Sequence, residues 1–165
     1  MKKYELGEPR ADGLRQIRAL VDVRPGVAAG DLGGWIGDER NLSHAGAAWV
    51  YDAAQVSGDA QVSGAARVYG DAQVFGDAWV YGAAWVYGDA RVSGAAQAYD
   101  DARVFGAAWV FGAVRVYGAA QVSGAAWVYD AAQVFGAAWV YGAARVYGDA
   151  RVYGAARVSG AAHLS

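Results

Sequence analysis

The chain of 165 residues contains no cysteine, two histidines, and lysine only at Lys2 and Lys3. Without thiols there are no disulfides and no thiolate metal sites, and a cytoplasmic setting is expected. No stretch of ~20 apolar residues exists, so no helix is expected to span a bilayer. Residues 1–13 are charged and lack an apolar run, so no secretory signal is expected there. The net charge is −2, which calls for neither nucleic acid nor an anionic membrane as partner. The phosphate-cradling Gly-x-x-x-x-Gly-Lys-(Ser/Thr), the nucleophile motif Gly-x-Ser-x-Gly and metal-spaced His/Asp sets are missing as well.

What is present is one short pattern, repeated. From Val50 to Val158 a valine recurs every six residues, with Ala98 the one exception and Leu164 closing the series. The residue two places before each is alanine, Val114 being the one departure. One unit reads Ala-x-Val-z-Gly-(Ala/Asp). Alternation of apolar residues with x and z is strand periodicity, and Gly-(Ala/Asp) is turn chemistry. Asp52, Asp100 and Asp130 replace the glycine, consistent with an aspartate that bonds its own backbone in a turn. A strand this short cannot bury its inner face alone, whereas stacked coils can. Three units per coil give a triangular prism with alanine and valine inside. A two-sided coil of two hexads and a right-handed prism are the structural rivals.

These hexads, read as Val50-Tyr-Asp-Ala-Ala54 and onward, resemble the hexapeptide-repeat left-handed β-helix proteins. The resemblance covers residues 34–165 and implies an all-β, single-stranded left-handed β-helix with three hexads per coil. The left hand comes from the resemblance alone, against the usual right-handed crossover. Between six and seven coils would make a rod of roughly 30 Å at ~4.8 Å per coil. The run Leu14-Arg-Gln-Ile-Arg-Ala-Leu20, followed by Gly30-Asp-Leu-Gly-Gly-Trp35 and Asn41-Leu-Ser43, is similar to the lead-in of a bacterial and phage branch of these proteins, often labelled as transferases without a mechanism.

Residues 1–47 are expected to form an N-terminal cap with an irregular first coil, and residues 48–165 the repeat domain. Alternation at Ile17, Ala19, Val21 and Val23 predicts a strand ended by Arg24-Pro25-Gly26. Leu42 and Val50 stand two positions further apart than one hexad allows, so a two-residue insertion is expected around His44 to Gly46.

The x and z positions face outward and carry 20 of the 22 aromatic residues, leaving out Tyr4 and Trp35. At a spacing of three hexads, one face aligns Trp49, Arg67, Trp85, Arg103, Gln121, Trp139 and Arg157, flanked by Tyr51, Tyr69 and Tyr87. Arginine beside tryptophan at this spacing suits cation–π contact. Such columns either stabilise the sheet through cross-strand pairs or dock a partner. Trp49, Arg67, Trp85, Arg103, Trp139, Tyr51, Tyr69 and Tyr87 are therefore the candidate binding surface. Asp59, Asp71, Asp77, Asp89, Asp101 and Asp149 fall at corners and read as solvated turn residues, because one corner offers calcium too few oxygens.

Many relatives implied by the resemblance are acyltransferases with a histidine general base. Here only His44 and His163 are available, and residues 48–165 contain no loop insertion to build a pocket. His44 is the candidate base if there is catalysis. No cofactor and no metal is expected. The leading expectation is a non-catalytic structural or self-assembling solenoid. It would associate through an uncapped C-terminal coil, at Arg151, Val152, Arg157, Val158, His163 and Leu164, as a homodimer or by end-to-end stacking. The alternatives are a glycan-binding module that uses the Trp/Tyr ladders on a polysaccharide, and an acyltransferase-like enzyme.

Overall fold

A computed structural model describes residues 1–165. Short strands, from Trp49–Val50 to His163–Leu164, follow one another at the hexad interval. Each pairs in parallel with the third strand after it: Trp85 with Arg103, Gln97 with Arg115, Trp109 with Trp127. Three walls result. One sheet has seven strands beginning at Trp49, one has six beginning at Gln61, and one has ten, of which three precede the repeat. The chain is thus an all-β solenoid with three hexads per coil.

The lumen explains the period. Every residue at the valine position from Val50 to Val146, and every one at the small position from Ala48 to Ala144, is 0% exposed. Each valine so placed contributes roughly 1.5–3 kcal/mol of apolar burial. Outward residues supply the pairing between coils: the Trp85 N–H donates to the Ala102 carbonyl at 2.9 Å, and the Tyr87 N–H to Val104 at 3.0 Å. Inside and outside are therefore assigned by one alternation, and a shift of one residue would exchange them.

Ahead of the repeat, β1 (Tyr4–Pro9) pairs antiparallel with β2 (Arg15–Ala19), and β2 with β3 (Leu32–Ile36). β3 then joins the ten-stranded wall in parallel, Trp35 opposite Gln55. The Trp35–Gln55 and Leu42–Val62 pairings each span two positions more than Trp49–Arg67 does. The extra pair of residues therefore lies between Leu42 and Trp49, as the spacing in the sequence predicts. Gly33 and Gly34 are required where β3 crosses the first coil. A Cβ on either would come within 2.6 Å of Ile17 or of Val50.

A short 3-10 turn, Glu39–Asn41, closes the irregular coil. Asn41 is buried there and stands in for regular pairing. Its Oδ1 accepts from the Gly37 and Asp38 N–H groups, and its Nδ2 donates to the Gly58 and Ala60 carbonyls.

Two expectations need correction. The strand predicted through Val23 ends at Ala19. Beyond it the chain turns back at Pro25-Gly26, with the Val23 N–H donating to Val27 and the Val27 N–H to Arg24. The corner aspartates also act differently. Asp52, Asp100 and Asp130 hold positive φ of 52°, 58° and 62°. Their carboxylates do not close on their own turns. They accept from Gly70, Gly118 and Gly148 N–H groups in the next coil, at 3.2–3.4 Å.

This geometry ranks corner substitutions. A Cβ at Gly94, where φ is +64°, would lie 2.8 Å from the Gly112 nitrogen. Gly94→Ala is expected to cost about 1–2 kcal/mol from the left-handed backbone, plus that contact. Gly94→Asp should cost about 0.5–1 kcal/mol less, because its carboxylate can take the Gly112 N–H. Urea unfolding of both variants checks the order, and equal tolerance of alanine and aspartate would contradict it.

Candidate functional site

The outer columns form as the spacing implies, and their geometry limits what they can bind. Tyr81, Tyr99, Tyr117 and Phe135 stack in succession with centroids 4.9–5.0 Å apart and planes within 2–3°. Tyr69, Tyr87 and Phe105 do the same at 4.9 Å. Such spacing matches one coil per ring, so the ring faces point along the rod and cover one another. Burial in the stack pushes the phenols of Tyr69, Tyr81 and Tyr99 up.

Most tryptophan faces are covered in the same way, although Trp79 meets only the edge of Tyr81 and is 47% exposed. Trp85 lies between Arg67 at 4.7 Å and Arg103 at 5.2 Å. Trp109 stacks on Trp127 at 5.2 Å, and that pair is closed by Arg91 and Arg145. Arg157 covers one face of Trp139 at 5.4 Å. A sugar stacking on an aromatic ring needs a free face, and these columns present mostly edges. Each contact is worth about 0.5–1 kcal/mol to coil-on-coil stability.

Of the candidate binding surface, Arg67, Trp85, Arg103, Tyr69 and Tyr87 share one continuous patch. Tyr51 meets Tyr69 edge-on at 6.2 Å. Trp139 lies further along the same wall. Trp49 is a correction: it faces away from the lumen yet is 1% exposed. The N-terminal segment lies over it, with Tyr4 packed edge-on at 6.3 Å.

That packing defines a second cluster, built by residues from β1 and the turn at Arg24. Lys3 is buried, and its Nζ donates to the Ala48 carbonyl at 2.8 Å. Burial first, then the nearby Arg24 charge, lowers its pKa to about 8. The Tyr4 hydroxyl sits 2.7 Å from the Leu42 carbonyl and 2.9 Å from that of Glu39. Burial, helped by Glu39 and Asp38, pushes this phenol well above its ordinary range. Arg24 Nη1 donates to the carbonyls of Ala47 and Ala65 in successive coils, at 3.0 and 3.2 Å.

His44 belongs to this latch. Its Nδ1 accepts the Lys3 N–H at 3.1 Å, and its ring stacks on Tyr4 with centroids 4.3 Å apart. The acceptor role of Nδ1 assigns the proton to Nε2, which lies 3.8 Å from a Glu39 carboxylate oxygen. A neutral ring so held offers a donor at Nε2 and has no free lone pair for a general base. His163 lies far from it, exposed on the coil of residues 148–165.

Lys3, Tyr4 and Arg24 escaped the reading of the sequence. The one available signal was Tyr4, an aromatic outside the hexad columns. At the opposite end of the rod, Arg151, Arg157 and His163 are exposed, Val152 is buried, Val158 is half-buried and Leu164 is 37% exposed.

A family model described as a YdcK beta solenoid repeat matches residues 54–70, 72–88, 84–99, 96–112 and 144–160. Each matched segment spans about one coil and begins at a small lumen residue. No curated protein matches the chain. The sequence match and the coordinates agree on a β-solenoid repeat protein, and neither carries the transferase expectation.

The latch gives a pH signature. Between about pH 8 and 10.5 the unfolded chain keeps a proton on Lys3 that the folded chain has lost, so stability should rise with pH across that window. Above about pH 10 the unfolded chain loses the Tyr4 proton that the folded chain keeps, so stability should fall. Thermal melts should therefore peak near pH 10. Lys3→Met should remove the rise, and Tyr4→Phe should lessen the fall. A flat profile from pH 8 to 10 in the wild type would contradict the buried ammonium.

Proposed function

We propose that this protein is a non-catalytic structural β-solenoid that pairs with a second copy of itself through the edge formed by residues 148–165. The observation that carries the reading is the state of that edge. Arg151–Val152, Arg157–Val158 and His163–Leu164 are the outermost strands of the three walls, each paired on one side only. In every earlier coil the outward residues donate their N–H groups to the next coil, and here no coil receives them. Lumen residues that are sealed elsewhere are open at this edge: Ala156 and Ala162 are exposed, with Val158 and Leu164 partly so. A row of free N–H and C=O groups beside apolar side chains is a template for strand pairing.

The opposite end supports a closed pair over a filament. There β1 and β2 extend the ten-stranded wall beyond β3 and the Lys3–Tyr4 segment lies over Trp49, so head-to-tail stacking would have to displace the latch. Two like edges related by a two-fold axis pair without that cost. The packed lumen leaves no interior space for a substrate, and His44 is committed to Lys3. Glycan stacking has less support, because most of the ring faces are occupied by neighbouring coils, Trp79 and one face of Trp139 being exceptions.

Proline at Arg151 and Arg157 tests the edge, since it removes outward N–H groups that no intrachain carbonyl uses. The wild type should sediment as a dimer at high micromolar concentration. The R151P/R157P variant should sediment as a monomer with unchanged far-UV circular dichroism. A monomeric wild type, or a double variant that still dimerises, would overturn the proposal.

A further inference from the structure

Most tryptophan hexads of the outer surface follow a coil that covers them. Trp85-Val-Tyr87 follows Arg67-Val-Tyr69, Trp109-Val-Phe111 follows Arg91-Val-Ser93, and Trp127-Val-Tyr129 follows Trp109-Val-Phe111. In each, a guanidinium group or an indole of the preceding coil lies on the tryptophan face at 4.7–5.2 Å. Two hexads differ. Trp79-Val-Tyr81 follows Gln61-Val-Ser63, and Trp139-Val-Tyr141 follows Gln121-Val-Ser123, with glutamine opposite tryptophan in both. No ring or cation of the preceding coil covers these indoles. Trp79 meets only Tyr81, and Trp139 meets Tyr141 and, from the following coil, Arg157. They are the two most exposed tryptophans of the chain.

The two steps so formed are alike in shape as well as in sequence. Indole and phenol meet nearly at right angles, at 6.3 Å and 81° for Trp79 and Tyr81, and at 6.2 Å and 87° for Trp139 and Tyr141. Below each phenol stands a serine, too small to cover the ring. The polar groups at the base are unused. Gln16 is the one glutamine and Ser43 the one serine whose side chains hydrogen-bond within the chain, so Gln61, Ser63, Gln121 and Ser123 all keep free bonding capacity. An amide donates and accepts, and so does a hydroxyl. The four side chains of each step are uncharged. On the far side of Gln61 and Ser63 no further stacked column fills the wall. A cleft lined by Glu39, Arg40, Ser43 and His44 opens against them instead.

We propose that each step, Gln61–Ser63 with Trp79–Tyr81 and Gln121–Ser123 with Trp139–Tyr141, binds one pyranose ring of a neutral glycan. A pyranose carries C–H groups on its faces and hydroxyl groups around its rim. The free indole face takes the first, and the unbonded amide and hydroxyl take the second. This is the division of labour of a small-ligand site, an apolar platform with a few polar anchors. Sugars with equatorial hydroxyls present the flattest face to an indole, and so fit best. Both open sides look away from the coil of residues 148–165, so the sites stand whether or not that edge pairs.

Indole N–H resonances of the intact protein read the sites directly, with cellotriose and chitotriose as probes. The Trp79 and Trp139 signals should shift saturably with at least one of these sugars. Those of Trp85 and Trp127, whose two faces are covered, should stay in place. Gln61→Arg installs over Trp79 the cover that Arg67 gives Trp85. Arginine already occupies the same outward column at Arg115 and Arg151, so this variant retains the fold. It should weaken the Trp79 response about tenfold and leave that of Trp139 as in the wild type. No saturable shift with either sugar at millimolar concentration, a shift at only one of the two indoles, equal shifts at the covered tryptophans, or an unchanged Trp79 affinity in Gln61→Arg each rules the sites out.

Discussion

The structure depends on one constraint: an unbroken column of valine and alanine must fill a tube that the backbone closes every three hexads. Main-chain pairing between coils and burial of the lumen are not separable. The N–H groups that bond the next coil belong to residues whose neighbours point inward, so losing the register loses both. This is why the repeat tolerates almost no variation inside. Ala98 and Val114 are the departures among the sealed positions of the repeat, and both remain fully buried. Outside, the same positions accept tryptophan, arginine, glutamine, tyrosine and serine, because the sheet requires only that they lie on the far side.

The outer surface nevertheless has an order of its own. Aromatic rings and guanidinium groups stack in register with the coils, so most of these side chains are covered by a neighbour directly above or below, Trp79 between Gln61 and Gln97 being an exception. An aromatic-rich surface would ordinarily suggest a docking face. Here the rings spend their faces on one another, and the columns serve as a second, external set of coil-to-coil contacts. Unused bonding capacity collects where the stacking stops. One such place is the edge of residues 148–165. Another is the pair of steps at Trp79 and Trp139, where an aromatic hexad follows a Gln-Val-Ser hexad.

The repeat was legible in the sequence because its period is short and its inside residues are nearly invariant along the chain. Period, alternation and corner chemistry together specify stacked short-strand coils and even the two-residue insertion before Trp49, while three walls over two was what the family resemblance implied. The N-terminal segment was not legible in the same way. Nothing in the pattern of Trp49 distinguishes it from Trp79 or Trp85, and its burial comes from a distant chain segment around Lys3 and Tyr4 that folds over it. The roles of Lys3, Tyr4 and His44 arise from that one contact between distant segments, which no local period encodes. The corner aspartates failed in the opposite sense. Their turn geometry was foreseen, but their hydrogen bonds cross to the next coil, a partner visible only once the coils are stacked.

The central claim is that the coil, and not the hexad content or composition, is the unit of stability. Two deletions separate these ideas. Removing residues 91–108 takes out one whole coil and leaves Ala90 followed by Trp109-Val110, in register. Removing 91–107 takes out one residue fewer and sends every later valine to the outer face. Cooperative thermal unfolding, followed by far-UV circular dichroism, is the direct measurement. The expected result is a folded, cooperative first variant with modestly lower stability and a second variant that loses cooperative structure. Comparable folding of the two would contradict the dependence of this structure on a sealed, coil-registered lumen.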